Sequence, residues 1–129
     1  MRVFKTRYFA RFARQESIFD EMLAKAIRDA ENGLIAAELG GGLIKLRIAR
    51  HGQGKRGGYR TLIAYTKGRR AVFLLGFAKN EQENIDPKQL ADLKAAAFDI
   101  LSQSDHALDA RIEEGRLQEV DYDHEEDEE

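Results

Sequence analysis

A chain of 129 residues that is 43% hydrophobic can bury one modest core but not two, so a single folded domain is expected. The absence of cysteine excludes a disulfide framework and any thiolate metal site, and it suits a reducing compartment, with the cytoplasm as the default. The formal net charge of -2 conceals a division: residues 1–80 carry 17 Lys and Arg against 6 Asp and Glu, whereas residues 81–129 carry 4 against 17.

In chain order, a short strand is expected around Arg2 to Lys5, followed by a helix capped by Thr6 with Phe9, Phe12 and Ala13 on one stripe. Basic residues interrupt this segment at Arg2, Lys5, Arg7, Arg11 and Arg14. No apolar run anywhere approaches the roughly 18 residues that span a bilayer, so neither a membrane span nor an export signal is expected. A second helix follows: Ser17 and Asp20 make a capping box variant, Ile18, Met22, Ala26 and Ala30 recur every four residues, and Asn32-Gly33 is a left-handed stop. After Gly40-Gly41-Gly42 the period becomes two, with Ile44, Leu46 and Ile48 alternating against Lys45, Arg47 and Ala49, which describes a half-buried strand with a basic face.

Residues 59–66 and 71–78 read as two further strands joined by a turn at Lys67-Gly68-Arg69. The second, Val72 to Phe77, is apolar on both faces and reads as central. The sheet is expected to be antiparallel, with the helices on one side. Asp86, Pro87 and Gln89 then open a helix striped by Leu90, Leu93, Ala97, Ile100 and Leu101. Leu108 to Val120 reads as one more amphipathic helix, weakened by Gly115. Residues 121–129 are almost all carboxylate and read as a disordered tail.

No Asp or Glu occurs between Glu38 and Glu81, a stretch that holds ten Lys and Arg. An ordinary solvated surface mixes both signs, whereas a single-sign field is what a polyanion-binding face needs. Its densest part is His51-Gly52-Gln53-Gly54-Lys55-Arg56-Gly57-Gly58-Tyr59-Arg60. Four glycines permit close backbone approach to an anion, and Lys55, Arg56 and Arg60 supply one point charge and two bidentate forks. A Walker loop is excluded, because Gly54-Lys55 is followed by Arg56 and a strand rather than by Ser or Thr and a helix. A solvated glycine-rich turn remains the bland alternative.

The run from Gly42 to Ile85 resembles HigB-type members of the RelE superfamily of bacterial type II toxins. It carries Gly-Leu-Ile-Lys-Leu-Arg-Ile-Ala-Arg, Gly-Gln-Gly-Lys-Arg-Gly-Gly-Tyr-Arg and Phe-Leu-Leu-Gly-Phe-Ala-Lys-Asn-Glu-Gln-Glu-Asn-Ile in that order. The resemblance covers roughly residues 1–103. It implies an α+β, microbial-ribonuclease-like fold with two N-terminal helices, an antiparallel sheet of about four strands and a C-terminal helix. The toxin domain is accordingly drawn as 1–104, with 105–129 as an acidic extension, partly helical.

The resemblance also implies cleavage of messenger RNA, often at the ribosome, by 2′-hydroxyl attack on the adjacent phosphate, without metal or cofactor, and inhibition by a cognate antitoxin. It places Lys55, Arg56, Arg60 and Lys79 at basic active-site positions: Lys55 as general base, Arg60 on the transition-state phosphate, Arg56 and Lys79 on flanking phosphates. Lys45, Arg47, Arg50, His51, Tyr59 and Tyr65 are candidates for RNA binding. Tyr59 and Tyr65 share a strand face, so they either stack bases or sit half-buried in the sheet. His51 is a reserve for acid-base work.

Where many relatives place a tyrosine near the end of the sheet, this chain reads Gly76-Phe77-Ala78-Lys79. Two rival functions are a ParE-like toxin acting on gyrase and a non-catalytic basic binding domain. The acidic tail is either an internal competitor for the basic loop or a solubilising end.

Overall fold

In the computed structural model, residues 1–50, 54–78 and 85–122 are described, residues 54–57 by their backbone alone. The elements run β1 (Arg2–Thr6), α1 (Arg7–Glu16), α2 (Asp20–Glu31), β2 (Ala37–Gly40), β3 (Leu43–Arg50), β4 (Gly54–Thr66), β5 (Arg70–Ala78), α3 (Pro87–Ser102), α4 (Asp105–Glu113) and β6 (Leu117–Val120). The strands form one sheet in the order β2-β3-β4-β5-β1-β6. Among the described residues no helix is long and apolar enough to cross a membrane.

The expected α+β class is present, but the sheet differs from expectation in three ways. It has six strands among the described residues rather than about four, and it is mixed, because β1 runs parallel to β5 in the register Arg2 to Arg70 through Lys5 to Phe73. A parallel pair requires a long crossover, supplied here by everything from α1 to β4, and no local sequence signal marks such a pairing. Helices also cover both faces rather than one. Phe9, Leu23 and Ile27 pack on the side of Val3, Ile44 and Phe73, while Ala97, Ile100 and Leu108 pack on the side of Phe4, Leu62 and Val72. The cause is legible in β5, where Val72 and Phe73 point to opposite faces and both are fully buried. A strand apolar on both sides demands two covers.

Local signals placed most of the elements. Thr6 accepts the amide of Phe9 at 3.0 Å as the cap of α1, and Asp86 accepts that of Gln89 at 2.8 Å as the cap of α3. The glycine run is the β2–β3 turn, with Gly40, Gly41 and Gly42 at φ of 92°, 64° and 84°, where side chains are strained. Ser17 does not cap α2: it adopts φ 58° as the left-handed residue ending α1, and α2 begins after Phe19. The helix expected over 108–120 is α4 followed by β6, which pairs antiparallel with β1 from Val3–Val120 to Thr6–Leu117. Gly115, at φ 76°, makes the turn between them.

The carboxylates of this C-terminal region neutralise Arg2 and Arg70. Arg2 donates to both carboxylate oxygens of Glu119 at 2.9 Å and to Asp109 at 2.9 Å, contacts that raise its pKa above the usual value, Glu119 most of all. Arg70, buried, donates to the carbonyls of Ile100 (3.0 Å) and Gln103 (2.6 Å) and to Asp105 (2.9 Å). A guanidinium at the carbonyl end of α3 satisfies groups the helix leaves open and opposes its dipole. Arg70 is thus a helix cap, although the sequence counted it in the basic field.

Replacement of Arg70 by Ala is expected to destabilise the domain by about 2 kcal/mol, as buried acceptors lose a charged donor. Equilibrium urea unfolding measures it, and a midpoint equal to that of the wild type would show that the cap contributes nothing.

Candidate nucleic-acid interface

Antiparallel pairing decides which cations of the acid-free stretch meet. The β3–β4 register sets Arg47 directly opposite Arg60, and the β4–β5 register sets Phe77 on the other side of Arg60. Lys45 lies in the next row but one, opposite Leu62. By alternation these residues share the face of Leu62 and Phe77, the side covered by α3.

Phe77 reaches this face through a bulge. Leu62 pairs with Leu75 and Ile63 with Phe73, so Leu74 has no partner, and Leu74 and Leu75 both pack toward α3. One extra residue inverts every side chain beyond it. Phe77 thereby comes beside Arg60, and Gly76 turns to the opposite face, where Phe9 and Phe12 lie against it.

Within the row Arg47 is exposed, Lys45 half-buried and Arg60 only 8% exposed. Burial, and secondarily the charge of Arg47, lower the pKa of Arg60 from its usual value, yet a guanidinium remains protonated at any physiological pH. Like charges set opposite one another across strands repel. No Asp or Glu occurs in β3, β4 or β5, so these strands bring no anion of their own to the row. A phosphodiester would bridge both guanidinium forks.

The segment expected as a loop from His51 to Arg60 is strand from Gly54 onward. Ile48 pairs with Tyr59 but Arg50 with Gly54, so β4 carries extra residues here. At Gly58 a Cβ would stand 2.1 Å from the carbonyl oxygen of Ile48 and 2.7 Å from the nitrogen of Arg50, backbone atoms with little freedom to yield. Close approach therefore requires this glycine. His51, Lys79 and the side chains of Lys55 and Arg56 lie outside the described residues.

Three RNA-binding candidates lie elsewhere. Tyr59 and Tyr65 face α1 and α2, not the row of Arg47 and Arg60. Tyr59 is buried, edge-on to Phe12, and its hydroxyl donates to Glu16 at 2.9 Å; the hydroxyl of Tyr65 donates to Glu31. Glu16 and Glu31 are the last residues of their helices, where the dipole disfavours a carboxylate. The tyrosines give both acids a reason to be there, and they pin each helix end to β4. Arg50 is on the same side, its guanidinium 5.6 Å from the centre of the Tyr59 ring.

Sequence alternation put Lys45 and Arg47 on one face; the strand register adds Arg60 to it, and the aromatic beside Arg60 is the buried Phe77 rather than Tyr59 or Tyr65. Only the unpaired Leu74 moves Phe77 there, and no residue type announces it. The acidic residues 123–129 lie outside the described residues. The strand leading to them, β6, ends beside Val3 and hence near Ala71, about 20 Å along the sheet from the row of Phe77 at about 3.3 Å per residue.

A family model described as RelE toxin of RelE / RelB toxin-antitoxin system matches residues 1–120. The chain belongs to the RelE toxin family. The match runs through β6, past residue 103 where the sequence resemblance stopped, in keeping with the pairing of β6 on β1. As a RelE toxin the chain is one half of a two-protein system, and its partner is a RelB-type antitoxin.

Gly58→Ala is expected to cost about 2 kcal/mol or more in urea unfolding, since a side chain forced against backbone must displace a strand. A loss below about 0.5 kcal/mol would mean that β3 and β4 separate readily there. Tyr65 provides a second test. Burial, and then Glu31, raise its pKa, so the stability this provides is complete below the unfolded tyrosine value of about 10 and is lost as pH rises from there through the folded value. Spectrophotometric titration should show a late tyrosine step that Tyr65→Phe removes and Glu31→Gln moves to lower pH.

Proposed function

We propose that this RelE-family toxin is a metal-independent endoribonuclease of the HigB type that cuts messenger RNA in association with the ribosome, with the scissile phosphate at the row of Arg47 and Arg60. The observation that carries the proposal is that directly opposed pair, held on strands free of carboxylate, one member exposed and the other buried. An arginine held in place by the sheet is preorganised, and a cation fixed before the reaction stabilises a pentacovalent phosphate without reorganising.

In the reaction, the 2′-oxygen bonds to the adjacent phosphorus as the bond from phosphorus to the 5′-oxygen breaks. A base takes the 2′-hydroxyl proton and an acid returns one to the leaving oxygen, yielding a 2′,3′-cyclic phosphate and a 5′-hydroxyl. Lys55 is the proposed base, since cationic neighbours favour a neutral amine. Arg56 and Lys79 are proposed to hold flanking phosphates, and His51 is the reserve proton donor. Lys45 extends the row along β3 toward further phosphates of the strand. The RelB-type antitoxin holds the activity in check.

Cleavage of messenger RNA in translating extract is expected to survive chelation of free divalent metal at levels that leave ribosomes intact, and to leave 5′-hydroxyl ends. Arg60→Ala should slow cleavage about 100-fold or more, on the order of 3 kcal/mol for one preorganised donor. Because Arg60 is buried, Arg47→Gln serves as a second variant at the exposed member of the pair. Cleavage that requires added metal, or an Arg60→Ala protein that cuts at the wild-type rate, would overturn the mechanism. Weakened RNA binding with no change in rate at saturating RNA would leave only a binding domain.

A further inference from the structure

The solvent face of α1 is a second concentration of positive charge, on the side of the sheet opposite the row of Arg47 and Arg60. Phe9, Ala10 and Ala13 bury the inner face of this helix. Arg7, Arg11 and Arg14 are all exposed, and at about 100° per residue they fall within roughly 60° of one another, about 120° around the helix from the centre of the buried stripe. Along the axis they span about 10 Å at 1.5 Å per residue.

Among the described residues none of the three makes an ion pair, whereas Arg2, Lys5, Lys25, Arg70, Arg111 and Arg116 each do. The helix has no acid in its first turn, and its only carboxylate, Glu16, accepts the hydroxyl of Tyr59. Arg7 stands at the amino end, where the dipole is already positive, and it repels Arg11 four residues on. Arg14, in the last turn, stands where the dipole favours a cation, so the electrostatic cost falls on the amino end, where an external polyanion would relieve it.

We infer that the Arg7, Arg11 and Arg14 face of α1 is a binding surface for the sugar-phosphate backbone of double-helical RNA, separate from the surface that takes the strand to be cut. This rests on the proposed RNA-directed function, and it adds a second, structural RNA as a ligand class. Charge and shape choose this occupant. Arginine forks match phosphate oxygens, and a rigid helix presents them at fixed spacing. Among the described residues Tyr8, 64% exposed, is the one exposed aromatic that α1 itself contributes, so the helix offers no stacking platform of the kind that reads unpaired bases. Double-helical RNA is recognised instead through its backbone and shape. The stripe also lacks the apolar seam a protein helix would need.

The test compares wild-type full-length protein with the Arg7→Gln, Arg11→Gln, Arg14→Gln variant. Binding to a 20-base-pair RNA duplex is measured by fluorescence anisotropy across a salt series, and binding to an unstructured oligonucleotide is measured in parallel. Loss of three phosphate contacts is expected to reduce the slope of log affinity against log salt by about 2 to 3, at about 0.9 per contact. Oligonucleotide binding should hold within about twofold, while Arg47→Gln should show the reverse pattern.

The triple Lys variant should retain most of the slope. If the Gln triple variant fails to fold by circular dichroism, Arg11→Gln alone should lower the slope by about one. An unchanged duplex slope overturns the inference, as does an equal loss for duplex and oligonucleotide, which would mark one diffuse field. Unchanged duplex binding with lost binding to polyglutamate would assign the face to an acidic protein instead. Because these readouts are equilibria, a chain that binds duplex yet cuts no RNA would refute the proposed catalysis and leave this surface standing.

Discussion

Central strands that are apolar on both sides impose a constraint on everything around them. Val72 and Phe73 of β5, Leu62 and Ile63 of β4, and Val3 and Phe4 of β1 are neighbours pointing opposite ways, and all six are fully buried. Water must be excluded from both faces at an apolar gain of about 25 cal/mol per Å², so α1 and α2 close one side and α3 and α4 the other. The row of Arg47, Arg60 and Phe77 lies toward the end of β4 and β5 away from their hairpin, where Arg47 still reaches solvent. The two helical covers assign Tyr59 and Tyr65 to one side and Arg60 to the other.

Charge is sorted by the same architecture. The acids that follow α3 fold back on the first strand and the hairpin, where Asp105, Asp109 and Glu119 take up Arg2 and Arg70. Part of the division between basic and acidic halves is therefore spent inside the fold. The cations of the β3–β4 row and those of the outer face of α1 stand on opposite sides of the sheet. Under the proposed RNA-directed activity, a toxin silenced by a protein partner gains from keeping its cations on such distinct surfaces, since one can be covered without the other.

The bulge at Leu74 and the irregularity at Gly58 are the two departures from regular pairing that shape the row. The first rotates Phe77 to the side of Arg60, and the second lets β3 and β4 approach so closely that a methyl group has no space. Both are local losses of ladder hydrogen bonding that re-aim side chains, a common use of bulges beside functional sites.

By itself the sequence determined those features that depend on neighbouring residues. Thr6 and Asp86 cap the helices assigned to them, alternation in β3 separates Ile44, Leu46 and Ile48 from Lys45 and Arg47, and glycines mark the β2–β3 turn and the hairpin at Gly68. The absence of acid from residues 39–80, together with the ordered motifs, pointed to the toxin family. Tertiary structure alone decided the parallel pairing of β1 with β5, the placement of β6 where a helix was expected, and the faces taken by Tyr59, Tyr65 and Phe77. Likewise Arg70 and Arg60 are alike in sequence context, yet one caps a helix and the other stands opposite Arg47. The physical reason is range: caps, turns and alternation are set within a few residues, whereas a sheet's register and covers are set by partners up to 117 positions apart, as Arg2 is from Glu119.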